Sequence, residues 1–229
     1  MGIEERILFE DNHLIVVNKL PGEIVQGDKT GDVTLAEDVK AYLKEKYSKP
    51  GNVFLGIPHR LDRPTSGIVI YCKTSKCLER MNQAFRDGSV DKYYLAICDH
   101  GLNDVKGTLV SYIYRDSTKN KSFAYKDNRP NTQEAKLEYE EIGRSDRYTL
   151  LKIHLLTGRH HQIRAQLAAN GVHIKGDLKY GFPRSEKDGG ICLHSYSVSF
   201  NHPVSKEVVK IVADLPDNPL WDYFSTLLH

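Results

Sequence analysis

Three stretches of this sequence concentrate side chains that could do chemistry. In IPHRLDRPTSGIVIYCKT (57–74) a polar loop stands directly before an apolar strand. Pro58 and Pro64 stiffen that loop, and Gly67 permits dihedrals that other residues avoid. Asp62 is offered from it between Arg60 and Arg63. One rigidly presented carboxylate among cations suits a nucleophilic or electrostatic role. The same string, Asp-x-Pro-x-Ser-Gly, is also what a plain turn looks like. In LLTGRHHQIRAQLAANGVHIKGDLKYG (155–181) a strand ends at Thr157-Gly158 and a helix is expected from about Arg159 to Asn170. Arg159, His160, His161 and Arg164 then crowd its first turn and oppose the helix dipole, which calls for a compensating phosphate or carboxylate. The alternative has Arg159 and His160 facing solvent and Arg164 paired with a structural acid. In SVDKYYLAIC (89–98) Tyr93 and Tyr94 are consecutive in a strand and point to opposite faces, so one can pack in the core while the other lines a cleft.

The elements that position these stretches are mostly strands. Segments 7–10, 14–19, 67–73, 92–98, 107–116, 121–127, 135–144, 148–157, 192–200 and 206–215 are rich in β-branched and aromatic residues or alternate apolar with polar ones. Ser117-Thr118-Lys119-Asn120 makes a hairpin loop between two of them. Thr34 caps a helix through Tyr47, with Glu37 at the capping-box position. A second helix runs from Ser75 to Arg86 with Leu78, Met81 and Phe85 on one face, and a short terminal one spans Leu220 to Leu228. The order is not a regular βαβα alternation, which excludes a doubly wound parallel sheet. The expectation is an α+β fold, a single domain over 1–229 on a large, mostly antiparallel mixed sheet with flanking helices and a central active-site cleft.

Composition narrows the function classes. The 229 residues are 40% hydrophobic and 27% charged, with no apolar run near the roughly 20 residues of a membrane span and no secretory signal. Cys72, Cys77, Cys98 and Cys192 form no C-x-x-C pair and are expected as buried thiols in a cytoplasmic protein. The formal net charge is only +2, but Lys73, Lys76, Arg80 and Arg86 cluster, as do Arg115, Lys119, Lys121, Lys126 and Arg129. Such clusters suit either a phosphate backbone or a solvated face. His154, His160, His161, His173 and His194 raise the question of a metal-dependent hydrolase, but H-E-x-x-H is absent and His160 and His161 diverge by about 100° on a helix. A glycosidase needs two suitably spaced carboxylates, and the Asp62 motif supplies one.

Taken together, the motifs resemble those of the RluA-type pseudouridine synthases. His59-Arg60-Leu61-Asp62-Arg63-Pro64-Thr65-Ser66-Gly67 matches H-R-L-D-x-x-T-S-G, Lys92-Tyr93-Tyr94 matches K-x-Y, and residues 157–164 match T-G-R-x-H-Q-I-R. Gly176-Asp177 with Tyr180-Gly181, and Leu193-His194 with Phe200-Asn201-His202-Pro203, are lesser matches in the family's order. Asn18-Lys19-Leu20-Pro21-Gly22 departs from N-K-P-x-G by one place, a turn variation. The family's small N-terminal RNA-binding domain is not expected, because the catalytic pattern begins at about Ile7. The resemblance implies an isomerase acting on a flipped uridine of tRNA or ribosomal RNA, with no cofactor and no metal; a monomer is the default expectation. It implies Asp62 as the essential aspartate, Arg164 as its ion-pair partner and Tyr94 as the ring that stacks on uracil. Arg60 resembles the arginine that fills the gap left by the flipped nucleotide. His59, Thr65, Arg159, His161 and Gln162 complete the expected RNA-binding set, with His59 and Thr65 fixing the loop. A non-catalytic RNA-binding protein of the same fold is the alternative.

Overall fold

The computed structural model describes residues 2–27 and 31–228. In chain order its strands are β1 (Ile7–Glu10), β2 (Leu14–Lys19), β3 (Ser66–Cys72), β4 (Asp91–Cys98), β5 (Lys106–Asp116), β6 (Lys121–Tyr125), β7 (Thr132–Arg144), β8 (Thr149–Leu155), β9 (Leu193–Asn201) and β10 (Val208–Val212). The helices are α1 (Leu35–Lys46), α2 (Ser75–Arg86), α3 (Gln162–Ala169) and α4 (Pro219–Ser225). The chain forms two compact units, Met1–Val90 with Tyr196–Asp214 and Asp91–Ser195 with Leu215–His229.

In the first unit the strand order is β1-β2-β3-β9, with β10 on β9. β2 and β3 pair antiparallel from Leu14↔Cys72 to Lys19↔Gly67. Both strands are buried almost throughout, which explains why LIVV and SGIVIYC read as continuous apolar runs rather than as alternation. Leu14, Val16, Ile68, Ile70, Phe200 and Ile211 form one cluster with Cys77 and Met81 of α2, and Leu78 and Phe85 pack against it. The helix face expected from sequence is thus the face that is buried. Thr34 caps α1 with a full capping box, its hydroxyl accepting from the Glu37 amide at 3.2 Å and its amide donating to the Glu37 carboxylate at 2.8 Å.

In the second unit the order is β4-β8-β7-β5-β6, each pair antiparallel. Along β7 Ala135, Leu137 and Tyr139 are buried while Glu134, Lys136, Glu138 and Glu140 are exposed, the alternation of a sheet with one covered face. α3 covers that face: Gln166 Nε2 donates to the carbonyls of Leu109 at 3.2 Å and Ala135 at 3.3 Å. Tyr94 lies opposite Ile153 on this inner face, and Tyr93 lies opposite His154 on the outer one.

The α+β, mostly antiparallel expectation is borne out. Some boundaries move. α3 begins at Gln162, three residues later than the helix read from Arg159, because His161 takes a left-handed conformation at φ 52°. α4 stops at Ser225 rather than Leu228, and β8 stops at Leu155. All four cysteines are buried free thiols. Replacing Thr34 with Ala removes one half of the capping box, and urea denaturation should show a loss of about 1 kcal/mol; an unchanged midpoint would mean that α1 does not depend on its cap.

Candidate active site

The Asp62 loop is laced to β3 along its length. Gly56 exchanges both backbone hydrogen bonds with Cys72, at 2.8 and 2.9 Å. His59 Nε2 accepts from the Ile70 amide at 2.9 Å, and its ring stacks on Phe85 at 4.8 Å. The Thr65 amide then closes a turn onto the Asp62 carbonyl at 3.0 Å. Gly67 makes the bend into β3 at φ 107°, a value that a side chain would resist. The turn alternative holds for the backbone: Asp62 sits in a tight turn, with its side chain half-buried. Arg60 beside it is exposed.

Beneath this turn lies a residue that the motif reading treated only as part of a turn. Lys19 is fully buried at the end of β2. Its ammonium donates to the carbonyls of Leu20 at 3.0 Å, Arg63 at 2.9 Å and Thr65 at 2.7 Å. Three N–H donors meet three acceptors, a match that only the charged form can complete. Burial pulls its pKa down toward about 7, while the charges of Glu23 and Asp62 hold it up. Arg63 adds a second tie: its Nε donates to the Gly22 carbonyl at 3.0 Å and its carbonyl accepts from the Gly22 amide at 2.9 Å. Thr65 is buried, and its hydroxyl has no hydrogen-bond partner among the described residues. The local sequence gave no sign of this, since the contacts bridge more than 40 residues; a lysine ending an apolar strand was the one available clue.

The second unit arranges the other motif residues around Arg164. Its Nε and Nη2 donate to the two oxygens of Asp177 at 2.7 and 2.8 Å, and both side chains are buried. The anion that the basic cluster called for is, at Arg164, a carboxylate. In sequence Asp177 belongs only to a lesser motif match. The Tyr180 ring lies under the guanidinium, with Cζ 4.9 Å from its centroid. Its hydroxyl accepts from the Ser122 amide at 2.8 Å and bonds His161 Nδ1 at 2.9 Å. Burial and the neighbouring Arg164 charge push His161 down to about 2, so its ring is neutral. His160 stacks on it at 3.8 Å and bonds the Ser122 hydroxyl at 2.8 Å.

Gln162 explains the late start of α3. Its Oε1 accepts from the Thr157 hydroxyl at 2.8 Å and the Arg159 amide at 3.0 Å, and its Nε2 donates to the Lys136 carbonyl at 3.1 Å. These bonds hold residues 157–161 in a loop, competing with the helical backbone. Arg159 is half-buried and donates from Nε to the Glu134 carbonyl at 2.9 Å. Tyr94 is buried, while Tyr93 stacks on His154 at 4.5 Å with its ring tilted by only 11°. Of the first basic cluster, Lys73 is tied to Glu10 at 2.9 Å and Arg80 to the Pro203 carbonyl at 2.8 Å, so these cations brace the fold. No group of three or more metal-ligating side chains occurs among the described residues, and no helix among them is long and apolar enough to cross a membrane.

An α+β fold with a braced Asp-turn and a buried Arg–Asp pair defines a class, and the comparisons with known proteins identify it. Residues 13–169 match the family described as RNA pseudouridylate synthase. The chain is 32% identical over 216 residues to the Uncharacterized RNA pseudouridine synthase YlyB of Bacillus subtilis (strain 168), covering 93% of this chain and 69% of that protein. It is 31% identical over 221 residues to the Ribosomal large subunit pseudouridine synthase C of Haemophilus influenzae, covering 93% and 66%. It thus spans about two thirds of the length of these relatives. The solved structure of Human RNA Pseudouridylate Synthase Domain Containing 4 shares the fold, with a TM-score of 0.79 at 22% identity over 99% of this chain and 93% of that one. The chain belongs to the RNA pseudouridylate synthase family, whose members are isomerases acting on RNA.

Replacing Asp177 with Ala leaves a buried guanidinium without its carboxylate. Urea denaturation should show a loss of roughly 3–5 kcal/mol, against a loss under about 1 kcal/mol if the pair is dispensable. Lys19→Met keeps the apolar stem and removes the donor shared by three carbonyls. A stability loss of about 1–3 kcal/mol is expected, together with faster proteolysis within 57–65; unchanged proteolysis would show that the ammonium does not hold the turn.

Proposed function

We propose that this chain isomerises uridine to pseudouridine within tRNA or ribosomal RNA, with Asp62 as the essential residue. The observation that carries this reading is the bracing of the Asp62 turn from three sides: the β3 lacing, the Arg63–Gly22 tie and the Lys19 ammonium beneath it. A carboxylate held this firmly is preorganised for attack at a sugar carbon. The names of the relatives put ribosomal RNA first among the substrates.

The reaction breaks the N1–C1′ bond of a uridine, turns the uracil and joins C5 to C1′. The C5 proton leaves and N1 gains one, so the product has the formula of the substrate. Asp62 acts at C1′, as nucleophile or as the base that yields a glycal. Arg164 keeps the Asp62 carboxylate ionised and aimed. The Asp177 pair occupies Nε and Nη2 of Arg164, and a guanidinium presents a second donor edge suited to another carboxylate. Tyr94 stacks on the uracil and takes part in removing the C5 proton. Flipping the nucleotide out of a helix costs a few kcal/mol of stacking, which Arg60, exposed beside Asp62, offsets by entering the gap. His59 and Thr65 fix the loop; Arg159, His161 and Gln162 shape the basic segment that meets the RNA backbone. The enzyme works as a cytoplasmic monomer without metal or cofactor.

The test is tritium release from RNA labelled at uridine C5, for wild type and Asp62→Asn, with and without a chelator. Release by wild type alone, unaffected by the chelator, is expected. Retained RNA binding with no release by either protein would replace this reading with that of a non-catalytic RNA-binding protein.

A further inference from the structure

The β5–β6 hairpin carries aromatic rings where a sheet normally meets water with polar side chains. Register places Tyr112 opposite Tyr125, Tyr114 opposite Phe123 and Asp116 opposite Lys121. Partners in register share a face, so four aromatic rings line one side of this two-stranded edge. The intervening pairs, Ile113 with Ala124 and Arg115 with Ser122, point the other way. Ile113 and Ser122 are buried on that side, where α3 packs against β5 and β6. The aromatic face is therefore the outer one. Tyr114 is 38% exposed, and Tyr112, Phe123 and Tyr125 are half-buried.

Cross-strand aromatic pairs alone would stabilise a hairpin, but they would not require the cations gathered here. Lys121 Nζ stands 5.6 Å from the Phe123 ring centroid, and Arg129 Cζ stands 4.0 Å from that of Tyr125. Lys119 in the hairpin loop and Lys126 just after β6 are exposed. Two nearby acids, Asp116 and Asp127, are engaged, and a third, Glu134, is exposed beside Tyr112. Asp116 accepts from the Thr118 and Lys119 amides, each at 3.0 Å, Asp127 pairs with Arg129, and Glu134 lies across from Tyr112. Among the described residues Lys121 and Lys126 form no ion pair. Alternating rings and cations on an exposed edge are the chemistry of a single-stranded nucleic-acid platform, in which bases stack and phosphates meet ammonium and guanidinium groups. Paired bases in an A-form helix hide their faces, so the rings select unpaired segments.

We infer that the outer face of the β5–β6 hairpin docks a single-stranded RNA segment flanking the target uridine, its bases stacked on Tyr112, Tyr114, Phe123 and Tyr125. The inference rests on the proposed RNA substrate and names the part of it that this surface holds. The platform lies on the opposite face of the second unit's sheet from Tyr94. Lys121 stands at the edge between them: its Nζ is 5.0 Å from the Tyr180 ring, which also lies under Arg164, as well as within reach of Phe123. β6 is the last strand of this sheet, so an RNA strand can round the edge there over one cation.

The experiment is fluorescence anisotropy on the whole chain with a short labelled oligouridylate and, separately, a short A-form RNA duplex. Tyr114→Leu combined with Phe123→Leu keeps apolar bulk and removes the π-faces. Oligouridylate affinity should fall by about tenfold or more with an unchanged salt slope, and duplex affinity should hold. Lys119→Ala combined with Lys126→Ala should instead lower the salt slope by about one to two. Equal oligouridylate binding by the double leucine variant and wild type overturns the inference, as does an equal loss for strand and duplex. If that variant fails to fold, wild type decides: 5-iodouridine oligonucleotide photocrosslinks within 112–125 support the platform, and crosslinks wholly elsewhere overturn it. Tritium release by wild type reads the proposed reaction separately. Active enzyme with an indifferent hairpin loses only the platform; inactive enzyme with a crosslinked hairpin loses only the reaction.

Discussion

A buried ammonium under a turn is the constraint on which the Asp62 site depends. A lysine head taken out of water is costly unless its donors are matched, and at Lys19 the match comes from carbonyls of Leu20, Arg63 and Thr65. Two of these belong to the Asp62 turn, so the turn cannot move without exposing the cation to an unsatisfied interior. The same cation lies in the field of Asp62 and Glu23. The cost of burying Lys19 is thus returned as a preorganised loop backbone.

The second unit uses the same device with opposite chemistry. There the cation that matters, Arg164, is held by a carboxylate, Asp177, and by the face of Tyr180. Tyr180 is fixed in turn by the Ser122 amide and His161. His161 remains neutral because burial, and after it the neighbouring Arg164 charge, disfavours the imidazolium. Arg164 is therefore oriented by neighbours that are themselves held by further hydrogen bonds.

Much of the fold could be read from the chain because its signals are local. The capping box at Thr34, the apolar face of α2 and the alternation along β7 each follow from residues within one element. What escaped depends on side-chain contacts that no periodic pattern signals, most of them between residues distant in sequence. Gln162 folds back on Thr157 and Arg159, so a stretch with helical periodicity becomes a loop and α3 starts late. Lys19 looked like a turn residue, since nothing near it announces acceptors at residues 63 and 65. Asp177 sits 13 residues from Arg164, beyond the span of any periodic signal. The candidate residues themselves stand out by type and spacing; their supports do not.

The central claim is that a braced Asp62 makes this chain a uridine isomerase. The most direct measurement is a mass-spectrometric inventory of pseudouridine in RNA from cells lacking the gene, complemented with wild type or with Asp62→Asn. One or more pseudouridines should vanish on deletion and return with wild type alone. Return with Asp62→Asn as well, or an inventory unchanged by deletion, would contradict it.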